Sequence, residues 1–289
     1  MIRLNDISLP LEYNDEDLKK AILKITGCKE SEIHGTNLVK KSVDARKKDN
    51  VHFTVSVEAD IKNEDKILKK LPSNKATATV PNEYKLPKLT KKQKRPVIIG
   101  FGPAGMFAAL TLAQAGLNPI VIERGYDCDT RIKTIENFHN SRRLDENCNV
   151  QFGEGGAGTF SDGKLTTGIK DIRIRHVFRT LAEFGAPREI LYLAKPHIGT
   201  DLLRNVIKNI RNEIIRLGGK VIFGAKFIDY SVEGNRISSV IYEKDNKPQE
   251  IATDNLILAI GHSARDTFEM LNSKNVDMSQ KNFAMGVRI

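Results

Sequence analysis

The segment from Pro96 to Gly125 constrains the fold of this chain more than any other stretch. Val97-Ile98-Ile99 is a short apolar run bounded by Pro96 and Gly100, which predicts a buried parallel strand. A glycine-rich turn, an apolar helix and a second apolar run at Ile120–Ile122 follow, and an acidic residue ends that run. This order is typical of a βαβ unit, so the segment predicts an open, mostly parallel sheet with helices on both faces.

The turn has the spacing G-x-G-x-x-G. Gly100 allows a tight turn, Gly102 lets the backbone approach a pyrophosphate, and Gly105 lets the helix pack closely on the strand. Pro103 and Ala104 open the helix, where the missing N–H of proline costs nothing. The unpaired N–H groups and the dipole of this helix end favour a diphosphate.

An acidic residue, Glu123, ends the second strand about 20 residues beyond the glycines, where a carboxylate would bind the hydroxyls of an adenosine ribose. The G-x-G-x-x-G motif by itself is weak evidence for a dinucleotide site. Together with the strands, the helix and the acidic residue, however, it favours such a site. The alternative, a glycine turn in an ordinary βαβ unit, does not account for Glu123. Arg124 and Arg131 follow it and are further candidates for cofactor binding.

A second glycine-rich stretch spans residues 150–167. Its composition excludes a regular helix or strand and predicts a loop whose N–H groups contact a flat, hydrogen-bonding ligand. Lys164 would place a positive charge near a reduced, anionic ring system. The alternative interpretation is a flexible surface loop. The candidate cofactor contacts in this stretch are Gly155, Gly156, Gly158, Thr159, Asp162, Gly163 and Lys164.

Three segments are predicted along the chain. Residues 1–71 form a small basic α/β domain, because strand patterns at Ile2–Leu9 and Val51–Ala59 flank a helix capped by Asn14. Residues 72–95 contain three prolines and a lysine run, which is typical of a linker. Residues 96–289 form the nucleotide-binding domain with the start of an inserted substrate domain.

Charge is uneven: the net charge is +10, and Lys and Arg outnumber Asp and Glu by 21 to 14 in residues 1–95. Docking of nucleic acid is one explanation. A solvated lysine-rich surface is the preferred one, because no aromatic residues are interleaved with the basic runs. We therefore expect a small-molecule substrate rather than a nucleic-acid partner; the sequence does not indicate an oligomeric state.

Cysteine and histidine spacing predicts no metal site and no redox pair, since the three cysteines form no C-x-x-C and the histidines are scattered. No apolar run approaches the ~18 residues of a membrane span, and the first residues lack a signal-peptide block, so we expect a cytoplasmic protein. His197 precedes a predicted helix, and His262 follows a strand that ends at Gly261. Both are candidates for an acid or base, and both are equally compatible with structural roles.

Six segments resemble the bacterial FAD-dependent dehydrogenases, also called NAD(FAD)-utilising dehydrogenases: GFGPAGMFAAL, VIERG, NVQFGEGGAGTFSDGKLTT, KPHIGTD, LAIGHSARDT and NFAMGVRI. The resemblance implies a Rossmann-like FAD-binding domain of the two-dinucleotide-binding flavoprotein type, with FAD held non-covalently. It implies that the glycines of the first turn face the diphosphate, Glu123 the ribose, and the backbone of Phe227 the adenine. Residues 153–164 would lie near the isoalloxazine. Strand 255–261 matches the family less closely, because Ile260 stands where threonine is usual.

The expected function is that of an FAD-dependent oxidoreductase, a dehydrogenase acting on an unidentified small molecule, with NAD(P)H as a candidate electron donor. Two alternatives stay open: a flavoprotein that binds or modifies RNA through its basic N-terminal domain, and a non-catalytic truncated remnant. Members of the family continue beyond the position of Ile289, so we expect that the C-terminal part of the fold is missing. We therefore predict weak or absent retention of FAD by these 289 residues.

Overall fold

A computed structural model describes residues 1–79, 84–85, 94–160 and 163–282. The chain divides into two compact units, Met1–Lys85 with Asp162–Val206 and Leu86–Ser161 with Ile207–Ile289. This division differs from the three predicted segments, because residues 163–206 group with the N-terminal unit. Half of the predicted linker, the predicted contact Asp162 and the NFAMGVRI segment from residue 283 onward lie outside the described residues.

The first unit contains a four-stranded antiparallel sheet with the strand order β2-β3-β1-β4. Two helices, α1 (Asp15–Thr26) and α2 (Glu64–Lys70), accompany it, and their residues Ile22 and Ile67 belong to the core of the sheet. The strands are β1 (Ile2–Leu9), β2 (Ile33–Asp44), β3 (His52–Ile61) and β4 (Ala76–Ala78).

Helix α1 begins where the sequence predicts, directly after Asn14. The Asn14 side chain accepts a hydrogen bond from Asp17 N at 3.0 Å, and Asp17 accepts one from Asn14 N at 3.1 Å, which forms a capping box. Gly27 follows the helix in the left-handed conformation. Ile22 is fully buried, so this helix supplies a central side chain to the first unit.

The start of the predicted linker is part of the sheet rather than a connection. Strand β4 pairs antiparallel with β1, and Ala78 lies opposite Ile2. The first unit also contains helix α5 (Arg173–Glu183), a 3₁₀ turn at Arg188–Leu191 and a short bridge between Lys41 and Leu193.

The second unit contains a four-stranded parallel sheet with the order β11-β5-β6-β7. Numbered within this sheet, the strands follow the order 4-1-2-3, which is the doubly wound order of dinucleotide-binding folds with its switch point between β5 and β11. The strands are β5 (Val97–Ile99), β6 (Ile120–Ile122), β7 (Lys220–Ile222) and β11 (Leu256–Leu258).

Further elements surround this sheet. An antiparallel meander of β8 (Ala225–Glu233), β9 (Arg236–Lys244) and β10 (Lys247–Ala252) supplies Phe227 and Tyr242 to a core shared with β5 and β6. Helices α3 (Pro103–Gln114), α4 (Cys128–Ser141) and α7 (Arg265–Ser273) belong to this unit, and α6 (Thr200–Arg216) belongs to it from Ile207 onward. The predicted fold class, an α/β fold with a Rossmann-like domain preceded by a small α/β domain, is confirmed. Within the described ranges, no helix has the length and apolar character needed to cross a membrane.

Replacing Ile22 with alanine tests the core of the first unit. Because Ile22 is fully buried beneath the antiparallel sheet, Ile22→Ala is expected to lower the free energy of unfolding by about 2–5 kcal/mol. Urea denaturation followed by circular dichroism measures this change. The control Leu11→Ala removes a side chain that is 50% exposed and should change stability by less than ~0.5 kcal/mol; equal losses in both variants would contradict the assigned core.

Candidate cofactor-binding site

A cavity of about 450 Å³ lies at the carboxyl ends of β5 and β11. Ligands of open α/β sheets bind at this place, where the strand order reverses, and the volume falls within the usual range for small-molecule sites. The residues that line it include Gly100, Gly102, Pro103, Ala104, Glu123, Phe152, Gly153, Gly156, Gly261 and His262. The fold therefore brings together both glycine-rich stretches, the strand-end acid and the residues that follow β11.

The three glycines of the first turn are required for different reasons. Gly100 has φ +95°, and a Cβ there would overlap the carbonyl oxygen of Ala259. A Cβ at Gly105 would overlap the carbonyl oxygen of Gly100, because α3 starts directly against the turn. Gly102 differs: its φ is −74°, and the nearest heavy atom to an added Cβ is the Cα of Gly156 at 3.8 Å. Its lack of a side chain thus leaves open space at the helix N-terminus.

The Glu123 carboxylate joins the two glycine stretches. Its Oε2 accepts a hydrogen bond from Phe101 N at 2.7 Å, and its Oε1 accepts from Gly125 N and Gly153 N at 2.9 Å each. The residue is only 5% exposed, yet it lines the cavity. A carboxylate has about four acceptor positions, so three backbone bonds leave one for a ligand. Glu123 therefore has a structural role that the sequence did not predict.

The second glycine stretch is a compact, buried turn. Gly153, Gly155 and Gly156 all have positive φ and are buried, and residues Gly156–Phe160 form a 3₁₀ turn. A Cβ at Gly155 would overlap Thr159 Oγ1, and one at Gly156 would lie 3.1 Å from the Cα of Gly102. This burial does not fit the alternative of a flexible surface loop over residues 153–156.

Arg131 stabilises this turn through hydrogen bonds to its backbone. It is fully buried, and its guanidinium donates to the carbonyl oxygens of four residues at 2.7–2.9 Å: Asn149, Val150, Glu154 and Gly156. Burial lowers the pKa of Arg131, although an arginine stays protonated in proteins. Its side chain is not among the residues that line the cavity. The structure thus gives Arg131 a role in positioning the turn, and contact with the cofactor stays a prediction.

Glu154 is a buried carboxylate of the second glycine turn that the sequence does not single out. It is fully buried, and its Oε2 accepts from Cys128 N at 2.7 Å and from Arg211 Nη1 at 2.9 Å. Burial raises the pKa of this carboxyl, against the opposing effect of the two donors. No spacing signal identifies it, because α4 and α6 supply its partners from distant parts of the sequence.

Arg124 is engaged in an ion pair. Its guanidinium lies 2.9 Å from Asp266 Oδ1 and 4.5 Å from the ring centre of Phe152, and Lys226 Nζ reaches the other Asp266 oxygen at 2.8 Å. Although burial opposes it, hydrogen bonding to Arg124 and Lys226 holds the pKa of Asp266 well below its usual range. Arg124 is not among the residues that line the 450 Å³ cavity. Asp266 lies in the first turn of α7.

Other predicted contacts are not among the residues that line the 450 Å³ cavity. Thr159 is fully buried and donates to Glu154 O at 2.9 Å, so its hydroxyl is used within the turn. Phe227 is 4% exposed and lies in the core, beside a cavity of about 30 Å³ that shares Gly100, Glu123 and other lining residues with the larger one. Gly158 follows Gly156 on the 3₁₀ turn and is half-buried.

The end of the glycine stretch belongs to the first compact unit. Lys164 forms an isolated bridge with His197, and Gly163 O accepts from Ile198 N at 2.9 Å. His197 is exposed and is grouped with this unit, whereas His262 lines the cavity of the second unit. The two candidate histidines therefore belong to different units. Within the described part of the chain, no group of three or more His, Cys, Asp or Glu residues could hold a metal ion.

Comparison with known families identifies the family of this chain. The family described as Pyridine nucleotide-disulphide oxidoreductase matches residues 94–284, which is most of the chain. The chain belongs to this family. Its members are FAD-dependent oxidoreductases, as the sequence predicted. Residues 1–60 match a second family, described as Domain of unknown function (DUF8436).

Individual matches include one relative and two solved structures. A Clostridium beijerinckii protein, described as an uncharacterized protein, is 46% identical over 290 residues; the match covers 100% of this chain and 54% of the relative. The chain thus spans about half the length of that relative. Thermovibrio ammonificans THI4 has a TM-score of 0.41 at 19% identity, with 64% of each chain covered. L-proline dehydrogenase from P. horikoshii has a TM-score of 0.43 at 14% identity, with 63% of this chain and 57% of that chain covered.

Replacing Gly105 with alanine tests the contact between α3 and the first turn. A Cβ at this position overlaps the Gly100 carbonyl oxygen, so Gly105→Ala is expected to lower the free energy of unfolding by roughly 1–3 kcal/mol. Thermal unfolding measures the loss. The control Gly168→Ala adds a Cβ with no heavy atom within 4 Å and should leave the melting temperature unchanged; an equal loss in the control would contradict the predicted steric cause.

Thiol reactivity tests the burial around Glu154. Burial, together with the neighbouring Glu154 carboxylate, raises the pKa of Cys128 to about 12, and burial also raises the pKa of Cys148. Because the thiolate is the reactive form, Ellman's reagent at pH 8 should react rapidly with Cys28 alone, which is partly exposed. The other two thiols should react after denaturation. Cys28→Ser should remove the rapid phase; rapid reaction that persists in this variant would show that Cys128 or Cys148 is accessible.

Proposed function

We propose that the cavity at β5 and β11 binds FAD non-covalently and that the protein is a dehydrogenase acting on a small molecule. The observation that carries this proposal is the joining of both glycine turns by Glu123 at the switch point of the sheet. A glycine turn in an ordinary βαβ unit would not need a second buried glycine turn against it. Family membership supports the choice of FAD over other dinucleotides.

The diphosphate fits the N-terminus of α3. Gly102 caps this helix, Pro103 follows without an N–H, and the amides of Ala104 and Gly105 are first-turn donors that have no partner within the helix. The helix dipole adds to their attraction for a negatively charged group. No side chain at Gly102 obstructs the approach of the phosphates.

The adenosine ribose fits the remaining acceptor position of Glu123. This carboxylate is fixed by three backbone donors, so it is held in place before a ligand arrives. Such preorganisation lowers the entropy cost of binding. Contact between the adenine and the backbone of Phe227 stays a prediction from the family, as do contacts of Gly158, Asp162, Gly163 and Lys164 with the ring system.

FAD supplies the hydride or electron transfer when it is bound. The residues of this chain would bind and orient it and exclude water. We propose His262 as the better of the two candidate acid or base residues, since it lines the cavity together with Gly261. NAD(P)H is the proposed electron donor because of the family to which the chain belongs. A disulfide relay is not proposed, because these 289 residues contain no C-x-x-C pair.

Replacing Gly102 with alanine tests the diphosphate position separately from folding. The backbone at Gly102 suits any residue, and the added Cβ meets protein atoms only at ordinary contact distance. Gly102→Ala should therefore keep the wild-type melting temperature but bind added FAD at least about tenfold more weakly, because the methyl group occupies the space at the helix end. Quenching of flavin fluorescence in a titration measures the dissociation constant.

Two comparisons complete this experiment. Gly168→Ala, in the first unit, should bind FAD as the wild type does. Wild-type affinity in Gly102→Ala would overturn the proposed diphosphate position. The flavin absorbance of freshly purified wild-type protein tests the predicted weak retention, and stoichiometric flavin would contradict that prediction.

A further inference from the structure

We infer that the first unit carries a second ligand site, a cavity for a small organic anion that bears a carboxylate or phosphate group. The cavity has a volume of about 360 Å³ and lies between strand β2, helix α5 and the turn at Arg188–Leu191. All of its lining residues belong to the first unit. Its volume is within the usual range for small-molecule sites. The site is separate from the FAD cavity and does not depend on the proposed function.

Three arginines converge on this cavity. Arg175 and Arg179 are one helical turn apart on α5, and Arg188 lies on the turn that follows the helix. Among the described residues that line the cavity, three are arginines and one, Glu183, is acidic. An anion bound in the cavity would therefore lie against guanidinium groups.

Glu58 only partly neutralises the charge of Arg175. Arg175 Nη2 lies 3.5 Å from Glu58 Oε1, whereas Arg3 Nη2 contacts the same oxygen at 2.6 Å. Although burial opposes it, the hydrogen bond from Arg3 and the charges of both arginines lower the pKa of Glu58. The carboxylate is thus shared, and its shorter contact is with Arg3. Arg175 therefore still presents positive charge to the cavity.

The other residues that line the cavity indicate the chemistry of the rest of the ligand. Phe178, Leu38, Leu191 and Tyr192 supply apolar and aromatic surface beside the arginines. Burial and the neighbouring Glu189 raise the pKa of Tyr192, so its hydroxyl stays protonated and can donate or accept a hydrogen bond. The planar guanidinium fork matches a carboxylate or phosphate through paired hydrogen bonds. A small ring or short chain that carries such a group would contact both the arginines and the apolar surface.

Isothermal titration of the full chain with benzoate and with inorganic phosphate tests this site. Both probes carry the anionic group, and the comparison shows whether the ring adds affinity. Saturable one-site binding of either probe is expected. Arg175→Gln, Arg179→Gln and Arg188→Gln should each weaken it about tenfold or more, because each removes a charge-assisted hydrogen bond.

The matched control is Arg173→Gln, on the same helix. Arg173 contacts Asp171 at 2.6 Å, its side chain is 68% exposed, and it does not line the cavity. This variant should bind the probes as the wild type does, and circular dichroism melts of all variants show that they fold. An equal loss in the control, or no saturation by either probe up to about 10 mM, would overturn the site.

An RNA oligonucleotide titrated across a salt series separates a nucleic-acid surface from a small-ligand cavity. Binding of RNA with a steep salt dependence, without competition from benzoate or phosphate, would overturn the small-ligand assignment. Competition by the small probes, or no binding of RNA, would support it. FAD affinity should be unchanged in all three cavity variants, so failure of this site and failure of the FAD proposal are distinguishable.

Discussion

The candidate site depends on one buried carboxylate. Glu123 accepts hydrogen bonds from the backbone of the first glycine turn, from its own strand end and from the second glycine turn. Glycine-rich turns have almost no side chains with which to pack, so they need backbone partners to keep one shape. A charged acceptor forms stronger bonds to amides than a neutral one does. The residue expected only to bind a ribose thus also builds the cavity that would receive it.

Two further buried, charged side chains also form hydrogen bonds to backbone groups. Arg131 donates to four carbonyl oxygens of the second turn, and Glu154 accepts from the first residue of α4 and from Arg211. Buried charges are costly unless they are paired or fully hydrogen-bonded. Backbone carbonyl oxygens accept from four of the five N–H donors of Arg131, and Glu154 Oε2 pairs with Cys128 N and Arg211, whereas Glu154 Oε1 has no hydrogen-bond partner among the described residues. These buried polar side chains therefore fix the shape of the second glycine turn, while the glycines leave room for the ligand.

The sequence predicted the βαβ unit well because each of its parts has a local signal. Apolar runs bounded by proline and glycine mark β5 and β6, and glycine spacing marks the turn. Helix α4 was not predicted, because its buried positions include Cys128 and Arg131 and so do not form a regular apolar stripe. Strand β4 was assigned to a linker because three residues are too few for a pattern. Strand β10 was missed because it is largely exposed and polar.

By itself, the sequence determined the α/β class, the position of the dinucleotide turn and the strand-end acid, since these follow from spacing along the chain. The tertiary structure decided what the charged residues do. It showed that Arg131 stabilises the second glycine turn, added Glu154 to the buried polar residues, and grouped Gly163, Lys164 and His197 with the first unit. It also brought Arg175, Arg179 and Arg188 to one cavity. The reason is that a charged side chain takes its role from the partners that folding brings to it, and those partners are distant in the sequence.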